Sequence, residues 1–143
     1  MTNLMTELAF SCSFTVQLFS SHAAGACVET QVKYFYNAKV VYKNDVICHE
    51  RLSDRAWSAS CEKSGKDCKI REKIKLAKIE FKKIAGPVGN PWFLACHKVG
   101  GLPQSYAYLA GRGWIEASRC IDPENSSFVD MSEIQASVLL NGI

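Results

Sequence analysis

No stretch of this sequence stays apolar for the ~20 residues that a membrane-spanning helix needs, which excludes a multi-pass membrane protein. No segment repeats, none is of low complexity, and no flexible linker divides the chain. Solenoid and multidomain readings therefore fall away, and 143 residues suit one domain. Such a chain buries roughly two-thirds of the surface it exposes when unfolded. No Gly-x-Ser-x-Gly, phosphate-binding loop or His-Glu-x-x-His signature occurs, so the recognisable hydrolase, nucleotide-binding and zinc-protease plans have no foothold. The carboxylates Glu116, Asp122 and Asp130 are scattered and suggest no pair. The expectation is a protein without enzymatic activity and without a cofactor.

Excess charge is also scarce. The net charge is +3, with 22% charged and 48% hydrophobic residues, which is the composition of a folded globular chain. The charge is unevenly placed, however. Residues 62–83 hold nine Lys/Arg against four acids, while residues 102–143 hold two Arg against five acids. A basic middle and an acidic end can steer an anionic partner to one side of the molecule. This basicity is too local for a typical nucleic-acid binder.

Basic residues are missing from the first 26 positions, where Glu7 is the one charged residue. Leu8 to Phe19 is a mostly apolar run of the length of a signal-peptide core, and Ala24 and Ala26 form a small-x-small pattern. Cleavage after Ala26 is the expectation, with residues 27–143 forming a single periplasmic or secreted domain. The absent basic residues and the Ser, Thr and Gln within the run keep a second reading open, in which Phe10–Phe19 is a first strand and Cys12 a buried thiol. A lipoprotein signal ending at Cys27 is disfavoured, because Ala24 stands where an aliphatic residue is usual.

What the sequence does have is cysteine. There are seven: Cys12, Cys27, Cys48, Cys61, Cys68, Cys96 and Cys120. That density suits an oxidising compartment, and loss of residues 1–26 makes the count even.

The remaining pattern reads as α+β: a small antiparallel sheet with one or two packed helices, held by disulfides. Val32 to Tyr42 has strand composition, Lys43-Asn44-Asp45 signals a turn, and Val46 to Cys48 the returning strand. Ala56 to Cys61 is a further short strand. Residues 69–84 read as a helix, with Ile70, Ile74, Ala77, Phe81 and Ile84 on one stripe. The pairs Ile74/Leu76 and Ile79/Phe81 leave strand fragments open. Asn90-Pro91 caps and opens a helix, Trp92, Cys96 and Val99 share a face, and Gly100-Gly101 ends it. Tyr106 to Leu109, Trp114 to Cys120 and Phe128 to Met131 read as strands, and Ser132 with Gln135 as a capping box before a closing helix.

The segment Asn90-Pro91-Trp92-Phe93-Leu94-Ala95-Cys96-His97-Lys98-Val99-Gly100-Gly101, followed by Arg119-Cys120-Ile121-Asp122 and Ser127-Phe128-Val129-Asp130, resembles a bacterial family of exported domains of unknown function. Members of that family are sometimes loosely labelled haemolysins. The resemblance covers residues ~88–135. It departs from the family at Pro123-Glu124-Asn125-Ser126, where a shorter turn with glycine is usual. It implies an exported location and a Cys96–Cys120 disulfide tying helix to strand, and it carries over no catalytic residue. A loop of 23 intervening residues closed in this way stabilises by roughly 3 kcal/mol. Proximity favours Cys61 with Cys68 and leaves Cys27 with Cys48, although six cysteines allow many connectivities.

Three other chemistries draw on the cysteines, the histidines beside them and the basic residues. Zinc would draw on Cys48, His49, Cys61, Cys68, Cys96 and His97, but no Cys-x-x-Cys or His-x-x-x-His spacing supports it. A Cys96–His97 dyad is unfavourable because neighbours on a helix point about 100° apart. The basic residues Lys69, Arg71, Lys73, Lys75, Lys78, Lys82 and Lys83 form either a solvated surface or a face for anionic lipid or envelope polysaccharide. Nucleic acid is the least favoured partner, since no aromatics alternate with the lysines. An exported binding domain leads, membrane or anionic-envelope binding through residues 63–83 follows, and a small hydrolase comes last.

Overall fold

Strand-forming residues and two left-handed positions build the longest feature of the computed structural model, which describes residues 26–50, 53–62, 67–111 and 113–141. Residues 1–25 of the proposed signal segment, with the alternative strand Phe10–Phe19 and Cys12, lie outside the described residues, and its last residue, Ala26, begins the first strand. Strand β1 (Ala26–Tyr36) turns through Asn37 and Ala38 into β2 (Lys39–His49), and both turn residues have positive φ, 48° and 60°. That geometry suits the right-handed twist of a hairpin, and Asn adopts it readily. The expected turn at Lys43-Asn44-Asp45 is corrected. These residues lie in mid-strand, opposite Val32, Gln31 and Thr30. Their polarity reflects an exposed strand, not a reversal.

Strand β3 (Ala56–Ser58) follows, then a single 3-10 turn (Ala59–Cys61). The region expected to be one helix is divided. Helix α1 (Lys69–Leu76) stops at Ala77, which takes an extended backbone, and α2 (Phe81–Ile84) is one turn long. The break changes which residues face inward: Ile70, Ile74, Ile79 and Ile84 are buried and Phe81 is exposed. A straight helix would have buried Phe81 in place of Ile79.

Helix α3 (Pro91–Lys98) begins as its sequence predicts, with Asn90 Oδ1 accepting from the Trp92 N–H at 2.9 Å and Pro91 in the first turn. Gly100 takes φ +80° just beyond it. Strands β4 (Leu102–Ala110), β5 (Gly113–Ile121) and β6 (Phe128–Asp130) form a meander, and α4 (Met131–Asn141) closes the described chain. The cap of α4 differs from the expected Ser132 capping box. Asp130 Oδ1 accepts from the Ser132 N–H at 2.9 Å, two residues earlier than the sequence suggested.

The fold is α+β with one six-stranded antiparallel sheet, ordered β3-β2-β1-β4-β5-β6. The sheet curls until its edge strands meet. Ser58 of β3 bridges them: its Oγ accepts from the Phe128 N–H at 3.0 Å and its hydroxyl lies 3.2 Å from the Phe128 carbonyl oxygen. Inside the curl, Val32, Ile47, Ala56, Tyr106, Tyr108 and Phe128 form one core. Side chains of opposite parity, including Trp57, Cys120 and Val129, face the helices and form a second core with Ile70, Ile74, Ile84, Cys96 and Ile134.

Three disulfides pin these parts. Cys27–Cys48 joins directly opposed residues of β1 and β2, Cys61–Cys68 closes the loop before α1, and Cys96–Cys120 fastens α3 to β5. This is the pairing that resemblance and proximity favoured. Gly101 packs against the last of them. A Cβ there would collide with Cys120 Sγ and lie 2.9 Å from Cys96 Sγ and 3.0 Å from Ile70 Cδ1.

A second internal tie is ionic. Asp122, fully buried, faces Lys73 Nζ at 2.8 Å, and its other oxygen accepts from the Glu124 and Asn125 N–H groups at 2.8 and 3.3 Å. Burial alone would raise this carboxyl. The lysine and the two N–H groups outweigh burial and hold it below its ordinary value of 3.8.

Two outcomes follow from this packing. Gly101→Ala should cost about 1–3 kcal/mol in urea unfolding, because the buried disulfide cannot yield. Gly86→Ala, whose Cβ meets nothing within 4 Å, should change stability by less than about 0.5 kcal/mol. Because the folded Asp122 binds its proton less readily than the unfolded one, its contribution is present near neutrality and is lost as pH falls below about 4. Asp122→Asn should therefore lower the urea midpoint at pH 7 and narrow the gap between pH 7 and pH 3. An unchanged gap would show that other carboxylates govern acid unfolding.

Candidate functional site

The basic residues singled out in the sequence do not act as one surface. Arg71 turns inward, with its Nε and Nη2 donating to the two oxygens of Glu133 at 2.8 and 2.7 Å and its Nη1 to the Cys61 carbonyl at 2.6 Å. The paired carboxylate raises the guanidinium above its ordinary value. Lys73 is held on Asp122. Both side chains are therefore taken up in ion pairs within the chain, and Ile74, on the apolar stripe expected over residues 69–84, is buried in the helical core. Lys69 pairs with Glu72 at 3.6 Å and Lys83 with Glu80 at 3.0 Å, both at the surface. Lys75, Lys78 and Lys82 are exposed and form no ion pair among the described residues.

The other chemistries lose their atoms. The six cysteines among the described residues are bonded in pairs, so no thiolate remains at Cys48, Cys61, Cys68 or Cys96 for zinc or for attack. Cys27, Cys48 and Glu62 place ligand atoms within 4.8 Å of one another, but two of those atoms form the Cys27–Cys48 bond. A hollow of about 330 Å³ beside Trp57 is charged, yet its Arg55 and Arg71 are matched to Glu50 and Glu133.

Two features were not anticipated. The first is Arg119, which sits inside the curled sheet at 6% exposure. Its guanidinium lies 4.3 Å from the Tyr106 ring centroid and 4.6 Å from that of Phe128. Its Nε and Nη2 donate to Gln104 Oε1 at 2.9 and 2.7 Å, and Asp45 Oδ2 is 4.0 Å from Nη1. Burial pushes Arg119 below the ordinary arginine value, and burial raises the Tyr106 phenol well above the tyrosine one. The cation–π contacts and the glutamine make this buried charge tolerable, which marks Arg119 as a prop for the sheet interior. The sequence held one signal for it: the alternation Ile115, Ala117, Arg119, Ile121 along β5 puts an arginine in an inward register.

The second is a cleft of about 570 Å³ where the hairpin peels away from β4. The β1–β4 ladder runs only from Val32↔Tyr108 to Tyr34↔Tyr106, after which the hairpin projects alone. Phe35, Val40 and Tyr42 line one side of the opening, and Ser105, Glu116 and Ser118 the other. Phe35 and Tyr42 are 74% and 59% exposed. Trp114 extends the aromatic edge, with its ring 6.1 Å from that of Tyr42 and Lys33 Nζ 4.5 Å above it. Lys33 and Glu116 bring opposite charges to the same cleft. The hint in the sequence was Tyr34-Phe35-Tyr36: consecutive strand residues point to opposite faces, so three aromatics in a row cannot all enter one core. The opening thus combines exposed aromatic rings with the hydroxyls of Ser105 and Ser118 and the opposite charges of Lys33 and Glu116.

No protein-family model, curated protein or solved structure matches the chain, and the likeness of residues ~88–135 to the exported bacterial family therefore rests on its motif.

Proposed function

We propose that the chain is a non-enzymatic binding domain of an exported protein, and that the cleft at the root of the hairpin takes a saccharide. Three disulfides support an oxidising compartment such as the periplasm or the cell exterior. The observation that carries the binding reading is the exposed set Phe35, Tyr42 and Trp114 around a cleft edged by Ser105, Ser118, Lys33 and Glu116. Flat aromatic faces stack on the C–H faces of sugar rings, while hydroxyls and charged tips bond the ring hydroxyls. The near-neutral charge of the cleft fits an uncharged ligand better than a phosphate.

Calorimetric titration of the purified chain with soluble peptidoglycan fragments and linear polysaccharides should give saturable binding to at least one of them. Tyr42→Ala and Trp114→Ala should each weaken it about tenfold or more, since both rings stand at the surface and contribute little to folding. Binding that survives both substitutions would move the site elsewhere. Release of shortened saccharides would overturn the non-enzymatic reading.

A further inference from the structure

We infer that the outer surface of the layer formed by α1, α2 and α3 docks on an anionic phospholipid bilayer. The inward side chains of these three helices and their connections, Ile70, Ile74, Ile79, Ile84, Ala95, Cys96 and Val99, all belong to a single core. The other side chains of this layer stand at the surface, apart from Arg71 and Lys73, which are held on Glu133 and Asp122, and Ala77, Trp92 and Phe93, which pack against the core. Four of those at the surface are large and apolar: Leu76 and Val88 are 83% and 85% exposed, and Phe81 and Leu94 are also exposed. The Phe81 ring packs 5.7 Å from that of Trp92, which joins α2 to α3.

Apart from Glu72 and Glu80, each paired with a lysine, the charges among them are positive. Residues 75–98 contain five lysines and one acid, Glu80, and that acid is taken by Lys83. Lys75, Lys78, Lys82 and Lys98 are exposed and make no ion pair among the described residues. Surface lysines alone are ordinary, and so is a single exposed leucine. Their combination within 24 residues is the pattern of a segment that lies in the headgroup region, with lysines on the phosphates and apolar tips among the upper acyl carbons. No helix among the described residues is long and apolar enough to cross a membrane, so the contact is with the surface of the bilayer. Ile74 takes no part in these apolar contacts, since it is buried in the core. The contacts come from Leu76 at the end of α1, Phe81 on α2, Val88 between α2 and α3, and Leu94 on α3.

The test is sedimentation of the full chain with vesicles of phosphatidylcholine alone and of phosphatidylcholine with one-third phosphatidylglycerol. Binding is expected on the second and not the first, and it should fall steeply between 0.05 and 0.5 M salt. Lys75→Glu and Lys82→Glu should each weaken it roughly fivefold. The double variant Leu76→Glu/Val88→Glu should weaken it at least tenfold with no change in melting temperature. If that variant loses stability, Leu76→Ser/Val88→Ser replaces it with the same expectation. Tyr42→Ala should leave vesicle binding intact, which separates this surface from the saccharide cleft. Equal binding to neutral vesicles, no binding to either, or indifference to the Leu76 and Val88 substitutions would overturn the proposal. So would sedimentation velocity showing a dimer that these substitutions dissolve, since the surface would then belong to a second copy of the chain.

Discussion

The Cys96–Cys120 bond is the constraint on which the rest of the structure depends. It crosses the boundary between the helical layer and the sheet at a point where both half-cystines are fully buried. Gly101 is seated on its sulfurs because no larger side chain fits there, and Gly100 supplies the left-handed turn that brings the chain back so quickly after α3. The Asn-Pro start, the cysteine and the Gly-Gly end of α3 thus act as one device. The helix must be short, must begin where it does, and must lead directly into β4. Ile70 of α1 touches the same spot, so the helical layer is referenced to this bond as well.

From that anchor the two cores divide the sheet. Its outward parity receives the helices, and its inward parity closes on itself through Ser58. A closed interior of this size has room for Tyr106, Tyr108 and Phe128 and for the flat guanidinium of Arg119 between two rings. The β1–β2 hairpin is longer than the curl it belongs to, and its far half has neither β4 beside it nor a helix over it. The exposed aromatic cleft is a consequence of this excess length. The helical layer, packed on the opposite portion of the sheet, leaves its own outer surface to solvent. Two separate exposed surfaces result, one neutral and aromatic, one basic and aliphatic.

The parts legible in the sequence are those controlled by local chemistry. Asn90-Pro91 caps α3 through its own side chain, the meander from Leu102 to Asp130 follows strand composition and glycine placement, and cysteines near one another in sequence or joined by a recognisable motif pair accordingly. The parts that were not legible are set by tertiary context. Lys43-Asn44-Asp45 has turn composition, but the reversal falls at Asn37-Ala38, where two residues accept positive φ so that Cys27 can face Cys48. The stripe over residues 69–84 breaks at Ala77 because the core needs Ile79 as well as Ile74 and Ile84, a spacing no straight helix provides. The basic residues could not be sorted in advance into structural and free, since Arg71 and Lys73 find their carboxylates at Glu133 and Asp122, far along the chain. The cleft was invisible for the same reason: it exists only where one ladder ends and another continues.

The central claim is that three specific disulfides, with Cys96–Cys120 at the junction, hold this arrangement together. Peptide mapping under non-reducing conditions of protein from an oxidising host tests it most directly. The account predicts three linked peptide pairs, Cys27 with Cys48, Cys61 with Cys68 and Cys96 with Cys120, each dissolved by reduction. Free thiols at these positions, or a different pairing for Cys96 or Cys120, would contradict it, because Gly101 and the helical layer would then lack the bond on which they are packed.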